Sequence, residues 1–226
     1  MRRKLKLFTV VVGDVIHSRN ISDRKMLSRT IPSVIRRIVD AYQDEFYAPL
    51  VLTRGIDEIS GVLRNPGGSY KICKCLNEMI YPESVRFAVV AGIIDVMVAS
   101  KDARKMDGPA FHKAADIIEQ ARRKNMRYCF GVGPVETNSL LNELTNLIEV
   151  LRSGWSKHQR SVVQLYEKLG IQQAAAKILG VTQQAISDAL KQAHWDEVKR
   201  AEDAINRALA AFVNKPNGLY YLKQGN

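Results

Sequence analysis

Three carboxylates stand where a chain could use them for chemistry. Asp14 closes the run "VVVGD", and Asp57 and Glu58 follow a glycine in "TRGIDEISG". The first sits at the end of a Val-rich strand, the other two at a hairpin turn. If those strands lie side by side, Asp14 and Asp57 converge within reach of one divalent ion. Two carboxylates facing a hard cation are what Mg²⁺ carrying a nucleoside triphosphate requires. The segment "HSRN" behind Asp14 adds Ser18 as a hydrogen-bond donor and Arg19 as a phosphate clamp. On this reading Asp14 and Asp57 hold metal, Ser18 and Arg19 touch a nucleotide, and Glu58 and Arg19 are the candidates for catalysis. The plainer reading is that acids at strand ends are solvated. His17 and His112 are the histidines nearest this set, and surface or capping positions suit them better than metal ligation.

A second constellation lies in "GIQQAAAKILGVTQQAISDALKQA". A helix-turn-helix needs a small residue where two helices meet, a turn glycine, and apolar residues tying the second helix down. Ala176 is the small contact, and Gly180 can take the left-handed turn conformation. Val181 and Ile186 are expected to face the core, with Thr182 as N-cap. Gln183, Gln184, Ser187, Asp188 and Lys191 are left on the outer face. Glutamines can bond adenine edges in the major groove, and Lys191 can reach a phosphate or a guanine. Gln172 and Thr182 can supply phosphate contacts at helix N-termini. Asp188 is a departure, because a carboxylate there repels phosphate unless it accepts from cytosine. The pattern resembles region-four-type and LuxR-type modules. A three-helix packing or protein-contact unit is the alternative.

These residues must be positioned by the elements around them. "KLKLFTVVVGDV" reads as a buried strand, and residues 22–46 as a helix with Leu27, Val34, Ile35, Ile38 and Tyr42 on one face. Ser22 would cap that helix and Pro32 kink it. "APLVLTR" and "IDEISGVL" form a hairpin around Gly55. "SYKICKCLNEMI" is a helix, "VRFAVVAGIID" a buried strand, and "VMVASKDARKM" a loop. "DGPAFHKAADIIEQARRKN" is a helix with Gly108-Pro109 at its start, and "YCFGVG" a last strand. The order β-α-β-β-α-β-α-β suits an α+β, ferredoxin-like palm of mixed or antiparallel sheet with helices on one face. An all-α helix-turn-helix domain follows. The expected domains are 1–136, a linker helix over 137–156, the helix-turn-helix over 157–213 and a tail over 214–226. Leu140, Leu144, Leu147 and Leu151 have heptad-like spacing on the linker helix, in a run short enough that core packing is expected.

Three short motifs resemble the SatD family, which joins a nucleotidyl-cyclase-like domain to a C-terminal helix-turn-helix. "GDVIHSR" is similar to its G-D-x-x-x-S-R, "TRGIDEISG" to its T-x-G-D-E-F-Q-G, and "DGPAFHKA" to its D-G-P-A-F-x-x-A. The resemblance spans roughly residues 8 to 193. It implies a site lined by Asp14, Ser18, Arg19, Asp57, Glu58, Asp107 and Phe111, with Asp107 and Phe111 added to the nucleotide contacts. The element order is also that of the palm of class III cyclases and GGDEF proteins, where two strand-borne acids bind metal. Two positions depart from the pattern: Ile56 stands where glycine precedes the aspartate, and Ser60 replaces glutamine. A β-branched residue there disfavours close approach of the hairpin to a triphosphate. "DGPAF" also reads as a helix start, with Pro109 first and Asp107 at the positive helix end.

Composition bounds the function. The chain has 226 residues, 46% hydrophobic and 25% charged, as in a globular protein. Its apolar runs are too short for a membrane span, and "MRRKLKLFTVVVGD" reads as a first strand better than as a signal peptide. Cys73, Cys75 and Cys129 are odd in number and lack zinc spacing, so reduced cytoplasmic thiols are expected. The net charge of +11 favours polyanions. It is +8 over residues 1–136 and +3 beyond, so it is not concentrated on the DNA-reading segment. The expected function is a cytoplasmic, homodimeric regulator that binds double-stranded DNA, with a cyclase-like sensor or dimerisation domain and a nucleotide as its ligand. The alternative is a Mg²⁺-dependent nucleotidyl-transfer enzyme localised by its helix-turn-helix.

Overall fold

The structure is a computed structural model and describes residues 7–16, 24–55 and 57–212, with the side chains of 24–27 and of Arg54 outside that description. Ser18, Arg19, His17, Ser22 and Ile56 lie outside the described residues, as do the side chain of Leu27 and the tail.

The strands are β1 (Leu7–Val15), β2 (Phe46–Arg54), β3 (Glu58–Leu63), β4 (Val85–Ile93) and β5 (Tyr128–Gly131). The helices among them are α1 (Arg24–Ala41), α2 (Ser69–Ile80) and α3 (Pro109–Arg123). This is the order expected from the hydrophobic pattern. One mixed sheet runs β2-β3-β1-β4-β5. The pairs β2–β3, β3–β1 and β1–β4 are antiparallel, and β5 is parallel to β4. The segment between β4 and α3 is a loop carrying a short 3₁₀ turn, Val98–Ser100.

The helices do not share one face of the sheet. Successive strand residues point to opposite sides. Val10, Val12, Ala88 and Val90 form one cluster with Ala110 and Ala114 of α3. Phe87, next to Ala88, instead stacks on Tyr128, whose ring meets Tyr70 of α2 edge-on. So α3 covers one face and α2 the other, and α1 packs beside α2. The one-sided layer is corrected, and the reason is legible in β1. Phe8 to Val12 are buried without alternation, and a strand buried on both faces needs helices on both.

The chain divides into two compact units, one up to Asn142 together with the chain from Asn206, the other Glu143–Ile205. Helix α4 (Val135–Ser153) passes through the first boundary and α8 (Trp195–Ala211) through the second. The expected linker helix is therefore part of both units. Asn142 accepts the Phe130 N–H at 2.6 Å and Asn138 that of Val132 at 3.0 Å, which ties the start of α4 to the end of β5. The leucine stripe of α4 is not its buried face. Leu140 and Leu147 are 72% and 57% exposed, while Leu141, Thr145, Ile148 and Arg152, one position further round, are buried.

The second unit holds α5 (Lys157–Leu169), α6 (Gln172–Leu179) and α7 (Gln183–Gln192), each in contact with the other two. Ser156 starts α5 with a capping box closed by Gln159. Gly170 and Gly180 both end helices in the left-handed conformation, at φ 70° and 66°. Trp155 donates its indole N–H to Ala193 at 2.8 Å and lies against the Arg152 guanidinium. Arg152 pairs with Glu202 at 2.9 Å, both side chains almost wholly buried. Among the described residues no helix is long and apolar enough to cross a membrane.

Candidate functional site

The end of β1 meets two neighbours at once. Asp14 stands opposite Glu58 of β3 on one side and opposite Arg86 of β4 on the other. Cross-strand partners share a face, so all three side chains point to the side covered by α3. Arg86 is a charged residue inside the apolar strand "VRFAVVAGI" and is 5% exposed. Its Nε donates to the Met126 carbonyl at 2.8 Å and its Nη1 to Asp14 Oδ2 at 3.1 Å. From α3, Arg122 Nη2 donates to Asp14 Oδ1 at 3.1 Å, and its Nη1 to Glu119 at 2.8 Å. Asp14 thus gives one oxygen to each of two guanidinium groups. Its bond to Arg122, foremost, holds that guanidinium above the ordinary arginine value.

Glu58 accepts the Thr53 hydroxyl at 2.8 Å. Asp57 lies in the turn between β2 and β3, and its carbonyl accepts the Val15 N–H at 2.9 Å. Gly55 is needed there: its φ is +56°, and a Cβ on it would stand 3.2 Å from Asp57 Oδ1.

A cavity of about 500 Å³ opens beside this cluster, between the sheet and α3. Val12, Met106, Phe111 and Ile118 supply apolar surface, and Asp14, Glu58, Asp107 and Glu119 supply carboxylates. The structure therefore brings together Asp14, Glu58, Asp107 and Phe111 of the expected site. Asp57 does not line the cavity. Arg104 and Arg122, which do, were not among the expected site residues, nor was Arg86 behind Asp14. The arginine inside β4 is the sequence signal that could have found the last.

The motif "DGPAF" positions this cavity by backbone. Asp107 pairs with Val96 in an isolated antiparallel bridge, and its Oδ1 accepts the Gly108 N–H at 2.8 Å. That bond, followed by the one from His112, holds the Asp107 carboxyl below the ordinary aspartate value. Gly108 has φ +143°, and a Cβ there would stand 2.7 Å from Asp95 Oδ1. Pro109 begins α3, Ala110 packs on Gly92 of β4, and Phe111 and His112 turn toward the cavity.

Mg²⁺ is commonly held by one or two carboxylates together with waters and substrate phosphates, and each oxygen of Asp14 already accepts from an arginine that such an ion would have to share or displace. Among the described residues no group of three or more His, Cys, Asp or Glu side chains could hold a metal.

In the second unit, Ala176 is buried at the α6–α7 contact and Ile186, Ala189 and Leu190 bury the inner face of α7. Thr182 Oγ1 accepts the Ala185 N–H at 3.1 Å, closing the start of α7. Gln183, Gln184, Asp188 and Lys191 are exposed and Ser187 is half-buried, while Gln172 is half-buried at the first position of α6. Gln184 donates to Asp188 at 2.9 Å, so this carboxylate anchors a neighbour on its own helix. Val181 is 37% exposed and does not face the core. Its backbone N–H is tied back to Ala176 in the turn, which leaves its side chain outside.

Two solved structures of a bacterial light-regulated adenylyl cyclase match at 14% and 15% identity, with TM-scores of 0.40 and 0.39. Each match covers 57% of this chain and 44% of the other, so the matched part is less than half of those chains. No curated protein sequence matches. The family model of SatD matches residues 8–203. That match spans more than half of the chain, and the chain belongs to the SatD family.

Proposed function

We propose that the protein is a DNA-binding regulator whose residues 143–205 read duplex DNA through α7 and whose sheet unit senses a small ligand. The observation that carries this reading is the division of α7 into two faces. Ile186, Ala189 and Leu190 are almost wholly buried, and Gln183, Gln184 and Lys191 stand clear in solvent. A three-residue turn with a left-handed glycine joins α6 to α7, as in helix-turn-helix modules. The bond from Gln184 to Asp188 uses one of two hydrogens on Nε2. The second hydrogen and Oε1 remain for an adenine edge. The Thr182 oxygen accepts from the backbone, and its own hydrogen is left to donate to a phosphate.

Two copies would read a palindrome with half-sites about one helical turn apart. The sheet order β2-β3-β1-β4 with antiparallel neighbours supports a ferredoxin-like, cyclase-like reading of the first unit. Asp14, locked between arginines, gives no support to Mg²⁺-dependent nucleotidyl transfer.

The test is fluorescence anisotropy on a library of labelled duplexes at several salt concentrations. The expected result is salt-sensitive binding that weakens at least tenfold when Gln183 and Lys191 both become alanine. Losing a Lys191–phosphate contact lowers the salt slope by about 0.9. Equal binding by the double variant refutes the assignment of α7.

A further inference from the structure

The cavity under α3 carries a charge pattern that selects its ligand. We infer that it binds a small organic cation, an ammonium or guanidinium on an apolar body, and not a nucleoside triphosphate. The inference rests on reading the sheet unit as a sensor and names the class of ligand sensed.

Among the described residues that line the cavity, four are carboxylates and two are arginines. Both arginines are already held by acids. Arg122 lies between Asp14 and Glu119, and Arg104 grips Asp102 through Nε and Nη2, each at 2.9 Å. The N-terminus of α3 is the backbone feature here that would favour an anion. Asp107 occupies it, accepting the Gly108 N–H at 2.8 Å. A triphosphate would meet this acidic lining, and a divalent ion brought in to offset it would have to share or displace the arginines that each Asp14 oxygen already accepts from.

The Arg122 guanidinium shows which chemistry the lining accepts. It is half-exposed, it sits at the cavity wall, and carboxylates from the sheet and from its own helix hold it. A ligand cation would meet the same kind of surface at Glu58, the cross-strand neighbour of Asp14. Phe111 offers an aromatic surface favourable to a cation. Val12, Met106 and Ile118 offer apolar cover for the rest of the molecule. A volume near 500 Å³ is in the range of small-molecule sites. An aromatic ring and aliphatic side chains set among these carboxylates point to an organic cation over a bare metal ion.

The experiment uses the full chain and three probes of known charge: 2-phenylethylammonium chloride, sodium phenylacetate and MgATP. Isothermal titration calorimetry and the thermal midpoint are read for each. The expected result is saturable binding of the ammonium and none of the carboxylate of similar size. Glu58→Gln weakens ammonium binding about tenfold or more, the loss of one charge-assisted hydrogen bond. Should that variant fold poorly, Ala115→Trp fills the cavity mouth from an exposed position of α3 and abolishes binding. No binding of the ammonium, tighter binding of phenylacetate or MgATP, or unchanged affinity in both variants overturns the inference. Duplex affinity is measured in the same samples. Ammonium binding without DNA binding removes the regulator reading alone, and DNA binding without ammonium binding removes the ligand class alone.

Discussion

Replacing Asp14 by asparagine tests whether this residue is structural before anything is said of catalysis. The wild-type carboxylate accepts from Arg86 at 3.1 Å and from Arg122 at 3.1 Å. Asparagine has the same shape but offers one acceptor oxygen and turns N–H groups toward a guanidinium. Arg86 cannot leave, because its side chain is 6% exposed and Nε is bound to the Met126 carbonyl. Removing one partner of a buried ion pair costs about 3–5 kcal/mol. Asp14 is one-fifth exposed and Arg86 keeps its carbonyl. The expected loss is therefore smaller, about 2–3 kcal/mol. Arg86→Met in the same chain removes the stranded charge, so the two changes together are expected to cost less than their sum by about 1–3 kcal/mol. The assay is urea unfolding followed by far-UV circular dichroism. Tryptophan emission is a separate channel, because Trp155 and Trp195 both lie in the second unit. An Asp14→Asn stability within about 0.5 kcal/mol of wild type, or no coupling to Arg86, refutes the arginine lock. If the lock holds, lost function in Asp14→Asn says nothing of metal until stability has been measured.

Gly108→Ala and Gly180→Ala separate two uses of glycine. At Gly108 the φ of +143° and the clash with Asp95 are expected to cost about 2–3 kcal/mol. At Gly180, where a Cβ meets nothing within 4 Å, the left-handed conformation alone costs about 1–2 kcal/mol; equal losses in urea unfolding would contradict this. Glu202→Ala removes the carboxylate paired with the buried Arg152 in the second unit and should cost about 3–5 kcal/mol, read from tryptophan emission because Arg152 lies against Trp155. For acid stability, the depressed Asp107 carboxyl contributes stability that is present above its unfolded pKa, near 4, and is lost as pH falls through its lower folded value. The gap in thermal midpoint between wild type and Asp107→Asn should then close below pH 4, and a gap that widens on acidification would show the opposite sign.

Much of the local structure was legible because local rules govern it. The hydrophobic periods placed the five strands of the described residues and the helices between them in order. Gly55, Pro109, Gly180 and Thr182 marked turns and helix starts through backbone preferences that hold wherever such residues occur. Other features depended on partners distant in the chain. Asp14 looks like a metal ligand in sequence, and only strand register shows it opposite Arg86, 72 residues away, with Arg122 108 residues away. The leucines of α4 repeat as a packing stripe, yet the neighbouring stripe of Leu141, Thr145, Ile148 and Arg152 is the buried one. Spacing along a helix says that residues share a face. Which face is covered, and which charge finds a partner, depends on where the rest of the chain comes to lie.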